Sequence, residues 1–291
     1  MTIKEIIILV LVVSVLLLVL GYGLKATVAE AFYLFRHPRK LFRTLLAMNV
    51  LMPLFVIMLV SLFHFEPLIR VTLFALAISP VPPLFPGTIS KASEHEEYII
   101  GLLVAASLFS FLLIPFSLAL LEAVVNRPLH TSLRSIIISI LITVVFPMFI
   151  GISIRHFAPS FAGRIAEPVK KTGMVLLLLA LLPLVVVMFP SIWQLIGNGT
   201  ALAFLAFIVV GSIVGHLLGG PAEQDRGILA VATSSRHPGI AIAIASANLQ
   251  VHDMVPAAVV LYLLLSILTT ILYLKWLAHQ KPSPPLTHPN T

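Results

Sequence analysis

Apolar residues run along this chain in nine stretches separated by short polar segments, at 6–24, 41–63, 68–90, 98–124, 135–156, 173–188, 201–218, 227–249 and 254–277. A helix of about 20 residues rises roughly 30 Å, the thickness of a bilayer's hydrocarbon core, so stretches of this size are long enough to cross it. Within each stretch the apolar residues follow one another without regular alternation. That pattern excludes a transmembrane β-barrel, whose short strands alternate apolar and polar positions. It predicts an all-α integral membrane protein with about nine transmembrane helices.

Composition agrees. Of the 291 residues, 59% are apolar and 10% charged, and mean hydropathy is +1.11, against about 45–50% apolar and about 25% charged in a soluble domain. The absence of cysteine excludes disulfides and thiol chemistry, and no cofactor motif is present. The formal charge of +7 does not indicate nucleic acid, because the cations sit in short loops and are sorted by side. Lys25, Arg36, Arg39, Lys40, Arg43, Lys91, Arg155, Arg164, Lys170, Lys171, Arg226, Lys275 and Lys281 fall on one side of the nine crossings, and Lys4, Arg70, Arg127 and Arg134 on the other. The positive-inside rule then places the N-terminus outside and the C-terminus in the cytoplasm of an inner or plasma membrane. Ala29-Glu30-Ala31 has the small-x-small form of a signal cleavage site. The basic flank Arg36, Arg39, Lys40 and Arg43 resists translocation, so the first stretch is read as a retained span. The Pro-rich tail, 279–291, is expected to be disordered.

Two stretches cannot be unbroken helices. The third contains Ser79-Pro80-Val81-Pro82-Pro83-Leu84-Phe85-Pro86-Gly87-Thr88-Ile89-Ser90-Lys91, and the eighth contains Thr233-Ser234-Ser235-Arg236-His237-Pro238-Gly239. Each proline lacks an amide donor and clashes with the preceding turn. Pro82, Pro83, Pro86 and Gly87 therefore mark one break, and Pro238 and Gly239 the other. Unwound backbone at membrane depth persists only where protein buries it or a polar cavity adjoins it. Segments one to four read helix, helix, broken, helix, and segments six to nine repeat that order in inverted orientation. Paired breaks of this kind are the best sequence pointer to a transporter's binding site. Arg236 sharpens the point, because a cation inside a span needs a cavity or a partner.

Several motifs together resemble the bile acid:sodium symporter family over nearly the whole chain. Leu34-Phe35-Arg36-His37-Pro38-Arg39 and Leu51-Met52-Pro53-Leu54 resemble that family's His-Pro-Arg loop and the helix after it. Pro86-Gly87-Thr88-Ile89-Ser90 resembles its Pro-Gly-Gly-Thr-Ala-Ser-Asn crossover, and Pro147, Gly151 and Phe157-Ala158-Pro159 the opening of its second half. Ser234 to Ala245 resembles its second crossover. The chain looks like the nine-span form. The resemblance implies one transmembrane transporter domain with a panel (about 1–40 and 131–190) and a mobile core (about 41–125 and 200–278). An organic anion and sodium would bind near the crossing of the two breaks.

The departures from the pattern carry the functional reading. The resemblance places sodium-ligand positions at Ser90, Lys91, Ser107, Ser234 and Pro238, where the family has hydroxyls, amides and a carboxylate. Here Ser234 stands for the carboxylate, Lys91 for an Asn, Pro238 for a Gln, and Met48, next to Asn49, for another Gln. No acid remains in either crossover. The favoured reading is that Lys91 and Arg236 fill the space and charge of the missing sodium ions, so that transport does not need sodium. The candidate substrate-binding set is Asn49, Thr88, Ser90, Lys91, Ser234, Ser235, Arg236 and His237, with His237 as the candidate proton carrier. Other readings stay open: symport through a sodium site rebuilt from Thr88, Ser90, Ser107, Thr233, Ser235 and carbonyls, or a membrane receptor without transport. An enzyme is disfavoured because Ser234, Ser235 and His237 are too close in sequence to converge as a triad. Glu94-His95-Glu96-Glu97 is read as a solvated acidic face. Substrate identity, coupling, direction of transport and oligomeric state are left undetermined.

Overall fold

The computed structural model describes residues 3–89, 95–125, 132–197, 199–249 and 254–280, and within these the chain is helical with no strand. We label α1 (Ile3–Gly23), α2 (Pro38–Leu62), α3 (Pro67–Ile78), α4 (Glu96–Val125) and α5 (Leu133–Phe157). There follow α6 (Pro159–Ile196), α7 (Thr200–Leu218), α8 (Glu223–Ser234), α9 (Pro238–Asn248) and α10 (Met254–Gln280). Among the described residues eight helical segments are long and apolar enough to cross a membrane, with α8 and α9 together forming one of them. The molecule is an all-α integral membrane protein.

Both expected breaks are present. Helix α3 has only 12 residues, too few to cross alone. Pro80, Pro82 and Pro83 withhold amide donors, so the chain leaves α3 extended at Ser79 and turns helical again at Phe85–Ile89. Between α8 and α9 the residues Ser235, Arg236 and His237 are non-helical, and Pro238 opens α9. Proline at the first helical position costs nothing, since that amide has no partner in any helix.

Two features depart from the sequence reading. The expected span 173–188 is the middle of α6, which runs 38 residues through Pro168, Pro183 and Pro190. Neighbouring helices hold a proline kink together, so these prolines bend the helix without ending it. The second feature is a pair of π-helical turns, Leu46–Leu51 in α2 and Leu141–Val145 in α5, each followed by a proline at 53 or 147. A wider turn relieves the clash between a proline ring and the preceding backbone, and it shifts the hydrogen-bond register by one residue. In α2 this leaves one carbonyl free. The Met52 amide donates to the Ala47 carbonyl, and Pro53 has no amide to offer, so the Met48 carbonyl has no partner within its own helix.

Helices α1, α5 and α6 pack on one another, with α1 lying along α6 and against α5. Their contact is close enough that a Cβ on Gly23 would lie 2.6 Å from the Met148 carbonyl oxygen. The other helices form a second set, in which α7 backs α8 and α10, and α9 packs on α3 and α10. Gly211 of α7 lets this set close over the second break, because a Cβ there would come within 3.0 Å of the Ser234 Cα.

Candidate functional site

The two breaks meet. The His237 amide donates to the Pro80 carbonyl at 2.8 Å, so unwound backbone from one interrupted helix satisfies the other. Arg236 joins them a second time. Its Nη1 donates to the Ser79 carbonyl at 3.2 Å and its Nη2 to the Met48 carbonyl at 2.9 Å. The guanidinium therefore fills the vacancy that the π turn and Pro53 leave in α2. Its central carbon lies 6.0 Å from the centre of the Phe207 ring, a cation–π distance. Arg236 is fully buried, and among the described residues no carboxylate pairs with it. Hydrogen bonds from a charged donor contribute about 1.5–3 kcal/mol each, so two carbonyls and a ring face offset much of the cost of burying this cation.

The break is braced on its other side. Ser234 ends α8, and its carbonyl accepts from the Tyr262 hydroxyl of α10 at 2.7 Å. The Tyr262 ring stands edge-on to Phe204 and Phe207, each 6.0 Å away. His237 caps α9, its Nδ1 accepting from the Ile240 amide at 3.4 Å. Among the described residues the buried Nε2 of His237 and Nε of Arg236 have no hydrogen-bond partner.

Four of the hydroxyls that sequence reading singled out are turned into their own helices. Ser234 Oγ donates to the Ala230 carbonyl, Thr233 Oγ1 to Leu229, Ser107 Oγ to Leu103 and Thr88 Oγ1 to Leu84. A serine or threonine that bonds one turn back in this way presents no free donor to the crossing. Ser235 is half-buried in extended backbone within the second break. Asn49 is half-buried in the π turn beside Met48. Pro82, Pro83 and Pro86 lie in or just after the first break, with Gly87 in the short helix that follows, while Pro238 and Gly239 open α9. Ser107 lies on the wall of an apolar crevice between α4 and α5. Ser90, Lys91 and Glu94 lie outside the described residues.

Ser79, Phe207 and Tyr262 were missed as parts of the site, and Met48 was placed there only as the stand-in for a Gln side chain, not for its carbonyl. Ser79 and Met48 act through main-chain carbonyls, which any residue type supplies, and nothing in the sequence distinguishes Tyr262 from a core tyrosine. A second omission is Asp225 in the first turn of α8. Its carboxylate is buried, accepting from Lys40 Nζ at 2.7 Å and contacting His95 Nδ1 at 2.9 Å. Lys40 also donates to the Tyr33 hydroxyl at 2.8 Å. His95 is thus not part of a solvated acidic face, as the sequence suggested; it is half-buried and pairs with Asp225, whereas Glu96 beside it is exposed. Helix α8 carries an anion at its start and is followed directly by a cation, the arrangement its dipole favours at both ends.

The family model of the sodium bile acid symporter family matches residues 12–198. That is more than half of the chain, and the protein belongs to this family. The match covers α3 and the first break and ends before α7, so Arg236 lies beyond it. No curated protein matches the chain significantly.

Proposed function

We propose that this membrane transporter moves a small organic anion by alternating access and does so without sodium, because the guanidinium of Arg236 stands where a sodium ion would bind. One observation carries the reading: two main-chain carbonyls at the crossing of the broken helices, Met48 and Ser79, are taken by a fixed cation. Hard oxygens at such a break are what a small monovalent cation requires. Here the Thr233 and Ser234 hydroxyls are spent on their own helix. Among the described residues no carboxylate pairs with the cation that holds the crossing. In this reading α1, α5 and α6 are the panel, the other helices are the core, and the chain crosses the membrane nine times with its N-terminus outside. Lys91 supplies a second tethered cation.

The test needs no substrate. The purified protein is unfolded by heat in matched sodium, potassium and choline chloride. A ligand that binds only the folded state, present at about 100 times its dissociation constant, adds about 2.7 kcal/mol. The expected result is the same melting temperature in all three salts. A saturable rise specific to sodium would overturn the reading and point to symport through a rebuilt site.

A further inference from the structure

The two helix sets meet along a seam, and near one end of it a tyrosine rests on a glycine. Tyr22, in the last turn of α1, is buried. The Lys170 ammonium of α6 lies 5.1 Å from the centre of its ring, a cation–π distance. The stem of Lys170 crosses Gly21, where a Cβ would overlap it. Lys25, just past α1, and Lys170 both pair with Glu167 of α6. The ring is thereby fixed to the set formed by α1, α5 and α6. Its hydroxyl reaches across to Gly87 in the short helix Phe85–Ile89, which packs on α4 and α8 of the other set. A Cβ on Gly87 would overlap that hydroxyl oxygen. Among the described residues the one other atom it would meet beyond its own helix is the Tyr22 Cζ, at 3.4 Å. Gly87 is helical, without the left-handed backbone that favours glycine, so its missing Cβ serves the approach of Tyr22. Beside the contact lies a cavity of about 50 Å³, walled by Tyr22, Lys25 and Lys170 on one side and by Pro86, Glu96 and Ile100 on the other. Among the described residues neither lysine pairs with Glu96 across it.

We propose that Tyr22 on Gly87 is a gate, shut in this conformation, and that it opens when the set of α1, α5 and α6 draws away from the short helix. The contact suits a joint that must part. A phenol tip on bare backbone is held by van der Waals contact, and the ion pairs of Lys25 and Lys170 stay within one set. The sets can therefore separate here without stranding either lysine. Gly87 follows Ser79 by eight residues on the interrupted helix that Arg236 holds, so an open gate uncovers the half-helix that leads to the crossing. A side chain at position 87 would prop the seam open, because the hydroxyl already fills the space where its first carbon would go. The gate rests on the alternating-access part of the function proposed above and not on its account of sodium.

The chain has no cysteine, so I100C places a single thiol on the buried wall of the seam, and its labelling by N-ethylmaleimide reads the opening. The full-length protein is labelled in detergent and choline chloride, with the melting temperature measured alongside to separate opening from unfolding. I100C should label slowly. I100C/G87A should label about tenfold faster well below its melting temperature, the shift that about 1.4 kcal/mol of overpacking in the shut form produces. Adding Y22F removes the overlapping oxygen and leaves only the Cζ contact, so I100C/G87A/Y22F should return towards the rate of I100C. A purely structural glycine would lower the melting temperature in G87A and leave native-state labelling unchanged, and that result overturns the gate. So does fast labelling that Y22F does not reverse. Should G87A fail to fold, I100C/Y22A removes the closing ring without any overlap. About tenfold faster labelling there upholds the gate, and the rate of I100C overturns it. The labelling needs neither sodium nor substrate. A sodium-specific rise in melting temperature would thus overturn the functional reading and leave the gate standing, whereas a seam that never opens leaves the sodium result as it was.

Discussion

A guanidinium with no carboxylate beside it among the described residues is an unusual thing to bury, and Arg236 is held by what surrounds it. The Met48 carbonyl is free because Met52 bonds one residue further back and Pro53 has no amide. The Ser79 carbonyl is free because Pro80, Pro82 and Pro83 keep the chain out of a helix. Removing the side chain leaves both oxygens unsatisfied in a cavity of the size of an arginine. R236A should therefore cost about 2–4 kcal/mol in choline chloride. Part of that loss should return in sodium chloride, since the vacated carbonyls suit a small cation. Thermal unfolding of R236A in the two salts checks this, and a variant as stable as the parent in choline would show that Arg236 does not hold the crossing. The charge of Arg236 was legible in the sequence as a cation inside a span. Its partners were not, because the Met48 carbonyl lies 188 positions away and is a main-chain atom.

The same bond gives Pro53 a purpose at the level of a helix. Alanine there restores an amide that can reach the Met48 carbonyl in the π register and so competes with Arg236. Intrinsic propensity alone says that P53A should stabilise α2, by up to about 3 kcal/mol. The expected outcome is the opposite, a lower melting temperature, and a rise would show that the π turn and Arg236 are not coupled. Helix α8 makes a comparable point through its ends. Removing one partner of a buried pair costs about 3–5 kcal/mol because it strands the other. D225N should therefore destabilise strongly. K40M/D225N should lose less than the sum of the two single variants, and a double-mutant cycle on melting temperatures reads the coupling. Additive losses would place Asp225 with other partners. The breaks themselves were legible, since four prolines and a glycine near residue 80 and the Arg-His-Pro-Gly run near residue 237 admit no continuous helix. The π turns and the full length of α6 were not, because a proline reads the same in sequence whether it ends, bends or widens a helix.

Across the whole molecule, the apolar pattern and the sorting of charges exposed the class of the protein and the position of almost every helix. They did not expose the pairing of Asp225 with Lys40, 185 positions earlier, which fastens the start of α8 to the start of α2. Charged residues near the ends of spans look like loop residues until the fold brings them together. The tethered cation at the crossing has an energetic corollary. A symporter draws its power from an ion that arrives on one side and departs on the other, whereas a guanidinium makes no such journey. On the proposed reading, a carrier of this kind that moves no other ion with its substrate cannot pump. It can only let its substrate run down its own electrochemical slope. For a singly charged anion, a potential of 100 mV, negative inside, is worth about 2.3 kcal/mol, roughly a fiftyfold concentration ratio that favours exit. Under that proposal the protein would behave as a relief valve for organic anions, its traffic set by membrane voltage instead of by salt.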